Sequence, residues 1–181
     1  MPKFQKLSPW KSFVSKWEDC TLCSLCEVRR SIVLARGKIP CDVLFIGEAP
    51  GASEDAHGQP FIGPAGKLLD EQISLAISNS GRTELRLCFT NLVCCIPREA
   101  PGKGKIGEPP EESIEACSGR LDEFLCISKP RLIVAVGDLS DKVLKDQQVS
   151  DMYEKIVHPA AILRAEPVRQ PLMNQRVVVT L

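Results

Sequence analysis

Apolar positions recur along the chain with two different spacings, and their alternation is the first structural signal. Trp10, Phe13, Val14 and Trp17 fall on one helical face, and Ser8 and Pro9 just before them suit the N-cap and first-turn positions. A short amphipathic helix is predicted there, running into Cys20-Thr21-Leu22-Cys23-Ser24-Leu25-Cys26. Val43 to Ile46 is a continuous apolar run, read as a buried strand ending at Gly47. Helical spacing returns from Ala65, with Leu69, Ile73, Ala76 and Ile77 on one side and Gly81 placed to end the helix. A second apolar run, Leu87 to Cys95, precedes a Gly-, Pro- and Lys-rich loop from Arg98 to Pro110. A further helix is predicted from about Glu111 to Ile127, and Leu132 to Gly137 reads as a third strand.

Strands alternating with helices predict an α/β fold of three layers, α/β/α, around a central, mainly parallel four-stranded sheet. Functional loops are then expected at the C-terminal ends of the strands. The chain shows no internal repeat. Its 181 residues, 44% of them hydrophobic, suffice for one ordinary core, so a single domain over residues 1–181 is expected, with the helix and cysteine-rich segment at its start.

Charge narrows the partners. Lys and Arg balance Asp and Glu at 23 each, so any contact with nucleic acid must come from a local patch and not from an overall positive field. The opening residues lack the apolar run of a signal peptide, and no later stretch approaches a membrane span, so a soluble, intracellular, cytoplasmic monomer is expected. Nine cysteines in a reducing compartment read as thiols or metal ligands before disulfides.

The densest chemical signal is Gly47-Glu48-Ala49-Pro50-Gly51-Ala52-Ser53-Glu54-Asp55, continuing from Gly58 through Phe61, Gly63 and Gly66 to Leu69. Glycines and prolines between a strand and a helix build a rigid loop whose backbone amides can approach a ligand closely. A nucleotide-phosphate loop is excluded: Leu68 follows Gly66-Lys67 where Ser or Thr is required, and Phe61 stands where that loop needs its first glycine. The dinucleotide-binding fingerprint is not met either.

This segment resembles the first signature of the iron–sulfur uracil-DNA glycosylases, often called family four. Three further stretches agree in order: Thr90 to Cys95, Pro109-Pro110-Glu111-Glu112 leading to Cys117, and His158-Pro159-Ala160-Ala161-Ile162-Leu163-Arg164. The resemblance covers Cys20 to Arg164, and it implies excision of uracil from DNA after the base is flipped from the stack.

Carried over by position, the resemblance makes Phe61 the ring on which uracil stacks and Asn91 the amide that reads its Watson–Crick edge. A side-chain amide offers a donor and an acceptor together, which suits uracil and mismatches cytosine. By residue type alone, Phe61 would be a core residue and Asn91 a strand-end cap. His158 matches the histidine aimed at the uracil O2, where a fixed donor stabilises developing negative charge. Glu48 and Glu54 are the polar candidates for positioning water, and Ala49, standing where another branch of the superfamily has aspartate, offers only its backbone carbonyl. Asp55, like Glu54, can equally be read as a loop-solvating charge, and His57 as solvent-facing. Ile162 or Leu163 is the expected wedge and Arg164 the expected phosphate contact.

The same resemblance assigns Cys20, Cys23, Cys95 and Cys117 to a [4Fe–4S] cluster, with Zn²⁺ as the chemical alternative because Cys₄ serves both. Spacing leaves Cys26 and Cys94 open as substitutes for their neighbours. Cys117 also shares a helical face with Ile114, Leu121 and Phe124, as a plain core thiol would. Cys41, Cys88 and Cys126 are expected to be packing residues.

Two departures from the family pattern stand out. Asp138 to Val157 is too short for the usual helix plus a full hairpin, and the apolar Arg176–Leu181 end predicts a late strand or an incomplete chain. The competing readings are a protein that binds uracil-containing or damaged DNA without cutting it, and a glycosylase for another modified pyrimidine.

Overall fold

The computed structural model describes residues 8–81, 84–146 and 153–159. Helix α1 (Pro9–Trp17) begins as expected, the Ser8 hydroxyl accepting from the Lys11 amide at 3.3 Å with Pro9 in the first turn. A short 3₁₀ turn (Ser24–Glu27) follows, then β1 (Arg36–Gly37), β2 (Val43–Gly47), α2 (Ala52–His57) and α3 (Pro64–Asn79). The second half comprises β3 (Leu87–Asn91), a hairpin of β4 (Arg98–Ala100) and β5 (Lys103–Ile106), α4 (Glu111–Ser128), β6 (Leu132–Val136), α5 (Asp138–Asp146) and β7 (Tyr153–Ile156).

The main sheet has the order β1-β3-β2-β6-β7. Its four longer strands are parallel, as the pattern predicts, and β1 adds an antiparallel fifth at the edge beside β3. This fifth strand is two residues long, and so short a run carries no period-two signal. Every residue of β2 and β6 is buried because both faces are covered. Leu44, Ile46, Ile133 and Ala135 meet Phe13 of α1 with Leu121 and Phe124 of α4 on one face. Val43, Phe45, Phe89 and Val134 meet Leu69 and Ile73 of α3 on the other. The Phe13 ring lies 5.4 Å from that of Phe124, joining α1 to α4.

Two expectations need correction. The apolar run from Leu87 is a strand only as far as Asn91, because Leu92 to Ile96 turn away from the sheet yet stay buried. The loop from Arg98 to Pro110 contains the β4–β5 hairpin, whose exposed, lysine-bearing strand has no apolar alternation to reveal it. The segment after Gly137 holds helix α5 and then strand β7, in keeping with a stretch too short for a helix and a full hairpin. Asp141 of α5 ties these together, accepting from the Tyr153 hydroxyl and pairing with Lys145 at 3.0 Å and Lys155 at 3.3 Å. No helix among the described residues is long and apolar enough to cross a membrane.

Candidate active site

Strands β2 and β3 run parallel with Gly47 opposite Asn91, and this register brings two distant motifs together. A β-carbon on Gly47 would stand 2.6 Å from Asn91 Oδ1 and 2.6 Å from Phe61 Cζ, so only glycine lets the amide and the ring meet there. Asn91 is almost fully buried. Phe61 has φ +56°, a left-handed conformation that costs a bulky residue about 1–3 kcal/mol and must be held from outside.

Arg36 supplies part of that hold. Its Nε donates to the Pro60 carbonyl at 2.8 Å and its Nη2 to the Phe61 carbonyl at 3.3 Å, while Asp70 pairs with the same guanidinium at 2.7 Å. The guanidinium also lies 3.8 Å from the centre of the Phe89 ring, against which Phe61 packs. Glu54 braces the other side of the loop, its Oε1 accepting from the amides of Ile62 at 3.0 Å and Gly63 at 2.8 Å. Asp55 accepts from the Arg30 amide at 2.8 Å. Both carboxylates are buried, which corrects the reading of them as loop-solvating charges: their partners are backbone N–H groups that would otherwise lack acceptors. His57 is exposed, as expected.

A second glycine organises the neighbouring strand end. Gly137, directly after β6, has φ +104°, and a β-carbon there would stand 3.0 Å from Glu48 Oε1 and 3.3 Å from the Cβ of His158. Glu48 follows β2 and His158 follows β7, so the two flank the end of the strand between them. Burial chiefly, with Glu108 and Asp138 adding to it, raises the Glu48 carboxyl above its ordinary range against the lowering effect of the Leu139 amide. Ala49 is partly buried beside Leu25, Val93, Cys95 and Cys117.

Cys20, Cys23, Cys95 and Cys117 line one cleft together with Cys94, Arg29 and Arg120. Cys26 is not among the lining residues, whereas Cys94 is. Cys94 packs into the main core and burial pushes its thiol to about 12. Burial likewise raises Cys95, to about 11, with Arg29 Nη1 3.4 Å from its sulfur pulling the other way. The α4 face that carries Cys117 divides along its length: Ile114 and Cys117 join the cysteine cluster, and Leu121 and Phe124 join the core.

No three His, Cys, Asp or Glu side chains among the described residues draw close enough to ligate one ion. Four cysteine thiols lining one cleft beside two guanidinium groups are the donor set that a thiolate-bound cluster would take, and a tetrahedral Zn²⁺ would take the same set. Cys41 and Cys88 are buried packing residues, but Cys126 is exposed, since it lies on the outer side of α4. Ile162, Leu163 and Arg164 lie outside the described residues, as does the C-terminal run.

Sequence reasoning missed Arg36, which holds the Phe61 loop, and Arg120, which lines the cysteine cleft. Arg120 carried a usable signal, standing three residues after Cys117 and four before Phe124 on the buried face of α4. Arg36 carried none, because its partners come from the distant loop at Pro60 and from α3.

Comparison with known proteins agrees with this geometry. The family model described as the uracil DNA glycosylase superfamily matches residues 35–180. The chain is 34% identical to the type-4 uracil-DNA glycosylase of Pyrobaculum aerophilum, covering 84% of this chain and 83% of the relative. Against the enzyme of the same name from Saccharolobus solfataricus it is 32% identical, covering 84% and 76%. For that of Sulfurisphaera tokodaii the identity is 37%, over 70% of this chain and 53% of the relative. Matched over most of its length by both the family model and full-sized relatives, the chain belongs to the type-4 branch of the uracil DNA glycosylase superfamily.

Proposed function

We propose that the protein excises uracil from DNA by hydrolysing the N-glycosidic bond of a flipped nucleotide, the opening step of base excision repair. The observation that carries this reading is the convergence of four side chains over two glycines at adjacent strand ends. Phe61 and Asn91 meet at Gly47, and Glu48 and His158 meet at Gly137.

The extruded base stacks on Phe61, and the Asn91 amide accepts from the imide N–H while donating to the neighbouring carbonyl. Cytosine presents the opposite pattern at both atoms, so it leaves a buried donor and acceptor unmatched. As the bond breaks, its electron pair moves onto the uracil ring and O2 gains charge. His158 donates a hydrogen bond to that oxygen, an interaction stronger in the transition state than in the ground state. Glu48, as carboxylate, and the Ala49 carbonyl orient the water that attacks the sugar carbon, and Glu54 holds the loop that carries Phe61. Ile162 or Leu163 fills the vacated stack and Arg164 holds a phosphate.

Cys20, Cys23, Cys95 and Cys117 would hold the [4Fe–4S] cluster, with Zn²⁺ the chemical alternative. When bound, the cluster supplies covalent cross-links among the segment after α1, the turn after β3, and α4; excision itself uses none of its chemistry. The chain acts as a single-domain, intracellular monomer on single- or double-stranded DNA.

The test is incubation with end-labelled DNA holding one uracil, followed by alkaline cleavage at abasic sites, with thymine and cytosine duplexes alongside. Cleavage only at uracil supports the reading. Tight binding without abasic sites would instead indicate a damage-binding protein, and cleavage at a different modified pyrimidine a shifted base range.

A further inference from the structure

Arg120 is a charged side chain only 1% exposed, yet all its hydrogen-bond acceptors are neutral. Nη1 donates to Thr90 Oγ1 at 3.0 Å, and Nη2 donates to the main-chain carbonyls of Asn91 at 2.6 Å and Leu92 at 2.7 Å. Its buried Nε has no partner, and no carboxylate pairs with it among the described residues. A guanidinium cannot shed its charge in a protein, so burial in such company is unfavourable unless an anion stands nearby. The available anion is sulfur. Arg120 lines the same cleft as Cys20, Cys23, Cys95 and Cys117.

We propose that Arg120 is a positioning and specificity-determining residue that joins the cysteine centre to the base-reading strand end. Its charge balances the thiolate-bound cluster, and its planar fork fixes the backbone from which Asn91 reaches the base. The inference rests on the cluster and glycosylase readings above. A cubane with four thiolates carries net negative charge, so each stabilises the other: the arginine favours the cluster, and the cluster makes the buried arginine tolerable. Lysine would keep the charge but not the fork, since one compact ammonium cannot serve three oxygens on a fixed plane.

The test uses the full chain purified without oxygen, as wild type, Arg120→Lys and Arg120→Met. Iron content, the cluster's midpoint potential, and single-turnover excision from uracil and cytosine substrates are measured on each. Arg120→Met should lower the midpoint potential, because the added electron loses a neighbouring positive charge, and should lose iron faster. Arg120→Lys should hold a potential near wild type but lose roughly tenfold in uracil-over-cytosine selectivity, the effect of losing charge-assisted hydrogen bonds to the strand end. An iron-bearing Arg120→Met with unchanged potential overturns the charge role, and an Arg120→Lys with unchanged selectivity overturns the positioning role. If Arg120→Met does not fold, the lysine variant still decides: a potential moved well away from wild type overturns the charge role, and intact selectivity overturns the positioning role. Wild type without iron would fail the cluster reading and the charge role together. Iron-bearing wild type without excision would fail the glycosylase reading alone, leaving the potential shift to decide the charge role.

Discussion

Gly66 and Phe61 touch so closely that a β-carbon on Gly66 would stand 2.0 Å from the Phe61 carbonyl oxygen and 2.6 Å from its Cα. The first turn of α3 therefore serves as the seat of the Phe61 backbone. Gly66→Ala should move Phe61 out of position, at a stability cost of about 1–3 kcal/mol typical of overpacking. Single-turnover excision of uracil should fall roughly tenfold or more, since base–aromatic stacking is worth about 1–3 kcal/mol. A variant with unaltered excision would show that Phe61 is not the stacking residue.

Asn91→Asp replaces the amide donor with a second acceptor at a buried position. The carbonyl of uracil then faces an acceptor, and either uracil excision or the preference for uracil over cytosine should be lost. Competition between the two substrates in one reaction measures this directly.

His158→Ala removes the donor proposed to face O2. Single-turnover excision should slow by roughly 100-fold or more, the usual effect of losing one donor of the oxyanion-hole type. Affinity for uracil-containing DNA should change far less, as phosphate contacts and stacking persist. Nearly full activity would mean that β7 presents His158 to some other group.

Glu48 gives a pH dependence whose sign is fixed by its raised carboxyl. In the proposed mechanism excision needs the Glu48 carboxylate, so activity should fall with acid at a pH above the ordinary carboxylate range. Stability runs the other way. A raised carboxyl contributes stability that is complete below its unfolded value and is lost as pH rises through the folded one. Glu48→Gln should thus be the more stable protein at neutral pH, lose that advantage in acid, and excise uracil more slowly. Melting curves and rates taken across the same pH series check both.

The cysteine cleft predicts colour and iron. Protein prepared without oxygen should be brown with roughly four irons per chain, and Cys117→Ala should lower the iron while leaving uracil binding measurable. One zinc and no iron would fail the cluster assignment without touching the glycosylase reading.

Hydrophobic spacing alone located α1, α3, α4 and the strands β2, β3 and β6, because each buries one helical stripe or a continuous run. It also singled out the loop from Gly47 to Leu69, whose glycines and prolines are a local property of the chain. Arg36–Gly37 and the β4–β5 hairpin escaped it, being too short or too polar to carry a period. Tertiary structure alone decided that Asn91 lies opposite Gly47, that Gly137 stands between Glu48 and His158, and that Asp55 is buried. Periodicity records which side of an element is hidden from water. It holds no information on which distant segment does the hiding, and only the parallel register of the strands, settled by packing on both faces of the sheet, brings these residues to one place.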